Sequence, residues 1–323
     1  MNSHETFELP DLAAIEDAAE IVYRSMTPTP QIQWPLLSKR CGGDIWVKHE
    51  NHTPVGAFKV RGGLVYMDRL KHENSEIEGV ITATRGNHGQ SVAFAAARQG
   101  LKAVVVVPEG NNPEKNAAME ALGAELIVHG HDFQAAYEFA IEQSKNSGLH
   151  LLRSFHPWLV QGVATYSLEF LTAVPGLETV YVPIGLGSGI CGMIAARDAL
   201  GFQTKIVGVV AENAPAYALS FERQTSVTTE TADTIADGLA VRVPNEHAVK
   251  IIQRGVDRIV RVSEQAIRDA IGIYFTDTHN VAEGAGAAAL AARIQDEGVR
   301  GQCGLILSGS NAEKGLIRQV LQE

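Results

Sequence analysis

Four short stretches carry side chains that could act on a small anionic ligand. "NHTPVGAFKVRGG" (51–63) sets Lys59 directly after Phe58, just past a Pro-Val-Gly turn and at the opening of a helix. A desolvated lysine amine is a nucleophile toward carbonyls and a general base; on a solvated helix face its stem only covers apolar surface. "TRGNHGQS" (84–91) places Thr84, Arg85, Gly86, Asn87 and His88 ahead of the apolar segment "VAFAAARQG". Asn87 is by type a helix cap, whereas a cation such as Arg85 near a helix N-terminus is unfavourable unless it meets an anion. "GLGSG" supplies Gly185, Leu186, Gly187, Ser188 and Gly189 between a strand and a helix. Such a turn lets successive backbone N–H groups converge on a phosphate, although a tight βα turn needs the same glycines. It has neither the Lys-Ser/Thr of a P-loop nor the place of a dinucleotide fingerprint. "LSGSN" (307–311) leaves Ser308 at the mouth of the last strand, where serine is ordinarily a turn or cap residue.

The elements that must position these stretches follow from hydrophobic patterning. Strands are expected at 44–50, 79–84, 102–108, 124–130, 179–185, 205–211, 258–263 and 304–310. Helices between them include 88–99, 114–122, 132–146, 157–172, 189–200, 264–276, 283–297 and 312–322. Continuous Val/Ile-rich strands alternating with helices define an α/β fold with parallel sheets covered by helices. In such folds ligands gather where strand C-termini turn into helix N-termini, and the three Gly-rich turns occupy that kind of position.

Composition narrows the function. The chain has 323 residues and is 45% hydrophobic, enough for a large core. Its net charge is −10 and it has no Lys/Arg block, against a nucleic-acid binder. Apolar runs are too short to span a bilayer, and the acidic N-terminus "MNSHETFELPDLAAIEDAAE" is no signal peptide. Cys41, Cys191 and Cys303 are odd in number and widely spaced, which fits a reducing cytoplasm. His129 and His131 offer two metal-ligand nitrogens without a third ligand in a recognisable spacing.

In order, "PVGAFKVRGG", "TRGNHGQS", "GLGSG", "TIADGLAV" (234–241), "AEGAGAAAL" (282–290) and "LSGSN" resemble the fold-type II pyridoxal-phosphate-dependent enzymes, and among them the threonine/serine dehydratase branch. The resemblance runs from residue 27 to residue 311, with "AFKVRGG" and "TIADGLAV" its most specific parts. It implies a two-domain, tryptophan synthase β-like fold: a large cofactor-binding domain of 1–77 and 155–323, and a small substrate-loop domain of 78–154. It implies that Lys59 forms a Schiff base with the cofactor aldehyde, and that Phe58 packs beside the ring. Asn87 would bond the ring hydroxyl, the backbone of 185–189 would hold the phosphate, and Ser308 would face the pyridine nitrogen. A neutral hydroxyl there makes the ring a weaker electron sink than an aspartate would. Glu283 stands where the family has an acidic residue near the cofactor, with a supporting electrostatic role. Thr84, Arg85, Gly86 and His88 belong to the substrate loop. The implied reaction is dehydration and deamination of a small β-hydroxy amino acid such as L-threonine or L-serine by a cytoplasmic homodimer.

The chain departs from the family pattern at three places. The asparagine loop usually reads Ser-Ser-Gly-Asn-His, its second serine being the opposite-face acid/base of the family's racemases. Arg85 occupies that position, and a guanidinium has no proton to transfer near neutral pH. Arg85 could instead clamp a carboxylate, which brings in 3-hydroxyaspartate or a bulkier 3-hydroxy amino acid as alternative substrates. A divalent-cation site would use Glu212 and the Ala216 carbonyl, but alanine at 218 removes a carboxylate ligand, so a monovalent ion or none is equally expected. The phosphate loop is "GLGSG" rather than four glycines. The chain also ends soon after "LSGSN", so no regulatory C-terminal domain and no feedback control by isoleucine are expected.

Overall fold

A computed structural model describes residues 7–299 and 301–322. Ten strands form two sheets among these residues. The larger comprises β1 (Gln31–Gln33), β2 (Ile45–His49), β7 (Thr179–Pro183), β8 (Lys205–Ala211), β9 (Arg258–Val262) and β10 (Cys303–Leu307), in the order β1-β2-β10-β7-β8-β9. The smaller comprises β3 (Gly79–Ala83), β4 (Lys102–Val107), β5 (Glu125–Val128) and β6 (His150–Leu151), in the order β5-β4-β3-β6. All pairings are parallel except β1 with β2.

Every residue of β3, β7 and β10 is buried, as expected of parallel strands covered on both faces. The eight expected strands are all present. The two additional ones had no hydrophobic signal: β1 is Gln-Ile-Gln on an antiparallel edge and β6 is two residues long. One face of the smaller sheet is packed by Val60, Leu64 and Met67 of the helix Lys59–Glu73, and by Ala18 and Val22 of the helix Leu12–Tyr23.

Three helices stack closely enough to fix the spacing of the site. A Cβ on Gly162, in the helix Pro157–Ala173, would lie 2.3 Å from the Arg61 carbonyl oxygen. One on Gly192, in the helix Ser188–Ala199, would lie 2.9 Å from the Ala164 nitrogen. Only glycine admits backbones this near each other.

The same stack encloses a charge network. Arg61 and Glu50 are fully buried, with Arg61 Nε donating to Glu50 Oε2 at 2.7 Å. Arg61 Nη1 donates to Glu169 Oε1 at 2.5 Å and to Thr165 Oγ1 at 3.0 Å. Lys48 Nζ donates to Glu169 Oε2, the Thr29 carbonyl and Gln31 Oε1. Burial, which would lower the Arg61 pKa, is overcome by Glu50 and Glu169, which hold the guanidinium above its ordinary value.

A cavity of about 700 Å³ lies among Glu178, Thr179, Lys205 and Arg258, at the N-terminal ends of β7, β8 and β9. None of the four stretches lines it.

Candidate active site

The four stretches converge at the opposite, C-terminal ends of the strands. Phe58, Lys59, Asn87, the turn 185–189, Glu283 and Ser308 line one cleft, together with Gly238 and Leu239. Local hydrogen bonding explains how each arrives there.

Thr53 Oγ1 accepts from the Ala57 nitrogen at 2.8 Å and donates to the Ala57 carbonyl at 2.9 Å, closing the turn before the lysine. Ala57 bridges Gly309, and the Phe58 nitrogen donates to the Ser308 carbonyl at 3.0 Å. The lysine turn is thus laced to the exit of β10. Lys59 is the first residue of its helix, whose preceding residue provides no side-chain cap. Its Nζ lies 4.9 Å from the centre of the Phe58 ring and has no hydrogen-bond acceptor among the described residues. Burial lowers its pKa, and the Glu283 carboxylate opposes this only partly.

Gly187 (φ +105°) precedes the helix Ser188–Ala199 without a side-chain cap. The first intrahelical bond at this end runs from the Cys191 nitrogen to the Gly187 carbonyl at 2.9 Å, leaving the amides of Ser188, Gly189 and Ile190 facing outward as at any helix start. Tyr217 Oη holds the turn by donating to the Leu186 carbonyl at 2.8 Å. The segment carrying Gly238 closes over it: a Cβ on Gly185 would lie 2.3 Å from the Gly238 carbonyl oxygen. Gly189 faces Phe58 and Tyr166, and Tyr166 Oη donates to the Gly189 carbonyl at 3.2 Å.

Asn87 does not cap its helix. It is the first residue of the helix Asn87–Arg98, after an extended Gly86. Its Nδ2 donates to Glu283 Oε1 at 2.7 Å, and its Oδ1 accepts from Asn311 Nδ2 at 2.8 Å. Burial raises the Glu283 pKa; Lys115 and the Asn87 hydrogen bond pull in the opposite direction. Thr84 is buried, its Oγ1 accepting from the Gly86 nitrogen at 3.0 Å. His88 is buried with no partner for Nε2 among the described residues, and burial, then the nearby Lys59 charge, push its pKa down to about 3. Arg85 is exposed, without a hydrogen-bond or ion-pair partner among the described residues.

The remaining candidates lie elsewhere. Glu212 is exposed, and the Ala216 carbonyl accepts from Ser220 Oγ at 2.7 Å. Among the described residues no three His, Cys, Asp or Glu side chains converge on a metal position. His129 stacks on Phe139 at 3.9 Å between ring centres. Sequence reasoning missed Asn311, which orients Asn87, as well as Tyr166 and Tyr217, which brace the turn. Their bonds cross long stretches of chain, so no local spacing announces them.

The cleft is built to hold a phosphorylated pyridine aldehyde. It offers an amine whose pKa is lowered by desolvation, an anion cradle at an uncapped helix start, and an aromatic wall. Residues 22–309 match the family described as pyridoxal-phosphate dependent enzyme. The L-threonine ammonia-lyase of Thermotoga maritima is 34% identical over 290 residues, 89% of this chain and 72% of that protein. The structure superposes on the processed form of threonine deaminase isoform 2 from Solanum lycopersicum with a TM-score of 0.89 at 28% identity, covering 100% of this chain and 98% of that one. It superposes on maize serine racemase with a TM-score of 0.91 at 26% identity, covering 98% of each. The chain belongs to the fold-type II pyridoxal-phosphate-dependent enzymes. Within them it is a member of the threonine/serine dehydratase family, as the order of its motifs implied.

Proposed function

We propose that this enzyme dehydrates and deaminates a small β-hydroxy amino acid, L-threonine or L-serine, to a 2-oxo acid and ammonia. The observation that carries this reading is the Lys59 amine: its pKa is lowered by desolvation, it has no hydrogen-bond acceptor among the described residues, and it lines one cleft with the Gly185–Gly189 turn and Asn87. Bound pyridoxal phosphate supplies an electron sink for charge developing at the substrate Cα. The backbone amides at the start of the helix Ser188–Ala199 hold the phosphate. Phe58 would pack beside the ring, Ser308 would face its nitrogen, and Asn87, held by Asn311, would bond its hydroxyl. Lys59 would take the Cα proton at Nζ. The Cβ–O bond would break as the Cα–Cβ double bond forms, and the hydroxyl would leave as water by taking the proton that Lys59 had removed. The enamine product tautomerises and hydrolyses to the 2-oxo acid and ammonia.

A second substrate reading rests on Arg85. A guanidinium in the substrate loop with no partner among the described residues suits a second carboxylate, as on 3-hydroxyaspartate. We also propose a cytoplasmic homodimer in which 78–154 is the substrate-loop domain. Three free cysteines support the reducing compartment, and no described helix is long and apolar enough to cross a membrane. Exposed Leu36 and Phe275, on helices tied by the Arg40–Asp277 ion pair, support a self-association surface.

The test is 2-oxo acid release from the cofactor-loaded enzyme with L-threonine, L-serine, both 3-hydroxyaspartate diastereomers and 3-phenylserine. Turnover of threonine or serine above the others is expected. No release from any of the five would overturn the reading. Arg85→Ser separates the substrates: a selective loss on 3-hydroxyaspartate assigns Arg85 to a side-chain carboxylate, and equal losses remove that assignment.

A further inference from the structure

Lys115 has no place in the reading above, yet it touches both walls of the cleft. It lies in the first turn of the helix Pro113–Ala121, which Asn112 caps by accepting from the backbone nitrogens of Glu114 and Lys115. Lys115 is 8% exposed. Its stem lies against the substrate loop, so that a Cβ on Gly86 would come within 2.8 Å of Lys115 Cδ. Its Nζ donates to Asp237 Oδ2 at 2.6 Å. Asp237 opens the 3-10 turn Asp237–Leu239, and the next two residues, Gly238 and Leu239, line the cleft beside the phosphate cradle. The same helix makes a second tie: Glu114 Oε2 accepts from the backbone nitrogen of Lys314 at 3.2 Å.

We propose that Lys115 is a positioning residue for the reaction: its ion pair with Asp237 ties the substrate loop to the cofactor-holding wall and sets the fraction of molecules in the closed, binding-competent arrangement. A lysine serving only packing would need no partner on the far wall. A cation this close to the start of the helix Asn87–Arg98 is unfavourable by itself, and Asp237 removes that penalty only while the walls are together. Closure and neutralisation are therefore one event. Glu283, at the floor of the cleft, feels the charges of both Lys115 and Asp237, so breaking the pair also changes the field at the site.

The kinetic arm of the test rests on the dehydratase reading; a second arm does not. Lys115→Met, Asp237→Asn, the double variant and Lys115→Arg are compared as cofactor-loaded enzymes. One readout is KM and kcat for the best amino acid substrate. The other is amide hydrogen exchange of the peptide spanning 84–92 without substrate. If each single variant leaves a tenth of molecules closed, KM rises about tenfold and kcat changes less. The loop peptide should exchange faster in both, the double variant should be no worse than either single, and Lys115→Arg should keep KM near wild type. Unchanged exchange and KM in Asp237→Asn would overturn the proposal, as would losses that add in the double variant. Asp237→Asn is nearly isosteric at a half-buried position, so it remains informative if Lys115→Met fails to fold. An enzyme that turns over no candidate substrate refutes the dehydratase reading alone, because the exchange comparison still decides the role of Lys115.

Discussion

Lys59 and Arg61 are basic residues two apart on one helix, the first half-buried and the second fully buried, and their surroundings are opposite. All three guanidinium nitrogens of Arg61 have acceptors, on Glu50, Glu169, Thr165 and Thr29. With Lys48 the cluster has two cations and two carboxylates. Burial would raise the Glu169 pKa, but Arg61 and Lys48 hold it below its ordinary value. Lys59 has an aromatic face, a distant carboxylate and no acceptor among the described residues. Complete pairing makes a charge structural, since any change of state leaves a buried partner behind. Incomplete pairing leaves a group whose proton is easily moved. Chemistry here is located by what is left unsatisfied.

The comparison can be broken most forcefully at Lys59. Lys59→Ala should lower turnover by at least about 10³-fold and abolish the visible absorbance that bound cofactor shows in the wild type. Retained steady-state 2-oxo acid release would remove the assigned role. Next, Arg61→Met leaves Glu50 without its cation and Glu169 with Lys48 alone, and losing one partner of a buried pair costs about 3–5 kcal/mol. A large drop in the thermal midpoint of the holoenzyme should follow, and an unchanged melt would mean the network is not structural. The smallest effect has the opposite sign and is read in the apoprotein. Because the folded-state pKa of Lys59 lies below the ordinary 10.5, the unfolded chain binds more protons between the two values, and stability rises with pH across that window. Lys59→Met removes this slope and should raise the neutral-pH melting point by about 1–2 °C. A lower melting point would show that the amine is better satisfied than the geometry indicates.

Much of this was legible in the sequence. Strands such as β8, Lys-Ile-Val-Gly-Val-Val-Ala, declared themselves because both faces are buried and the run is continuous. The glycines of 185–189 and the Lys59 stretch were legible because they serve local geometry. What stayed hidden depends on partners far along the chain. Nothing near Arg61 distinguishes it from Lys59, since its acceptors come from residues 29, 50, 165 and 169. Asn87 looked like a cap because that role is local, and its actual partners, Glu283 and Asn311, are 196 and 224 residues away. Arg85 was visible as a departure, and its solvent-facing position leaves its partner to come from the ligand.

The backbone contacts at Gly162 and Gly192 act as a gauge block. They set the separation between the helix that begins at Lys59 and the helix that follows the turn at 185–189 through main chain alone, and no rotamer change can retune main-chain contacts. An exposed loop position such as Arg85 can therefore change for a new substrate while the spacing of these helices is inherited unaltered. Drift in what this enzyme accepts is mechanically cheap, and drift in how it reacts is not.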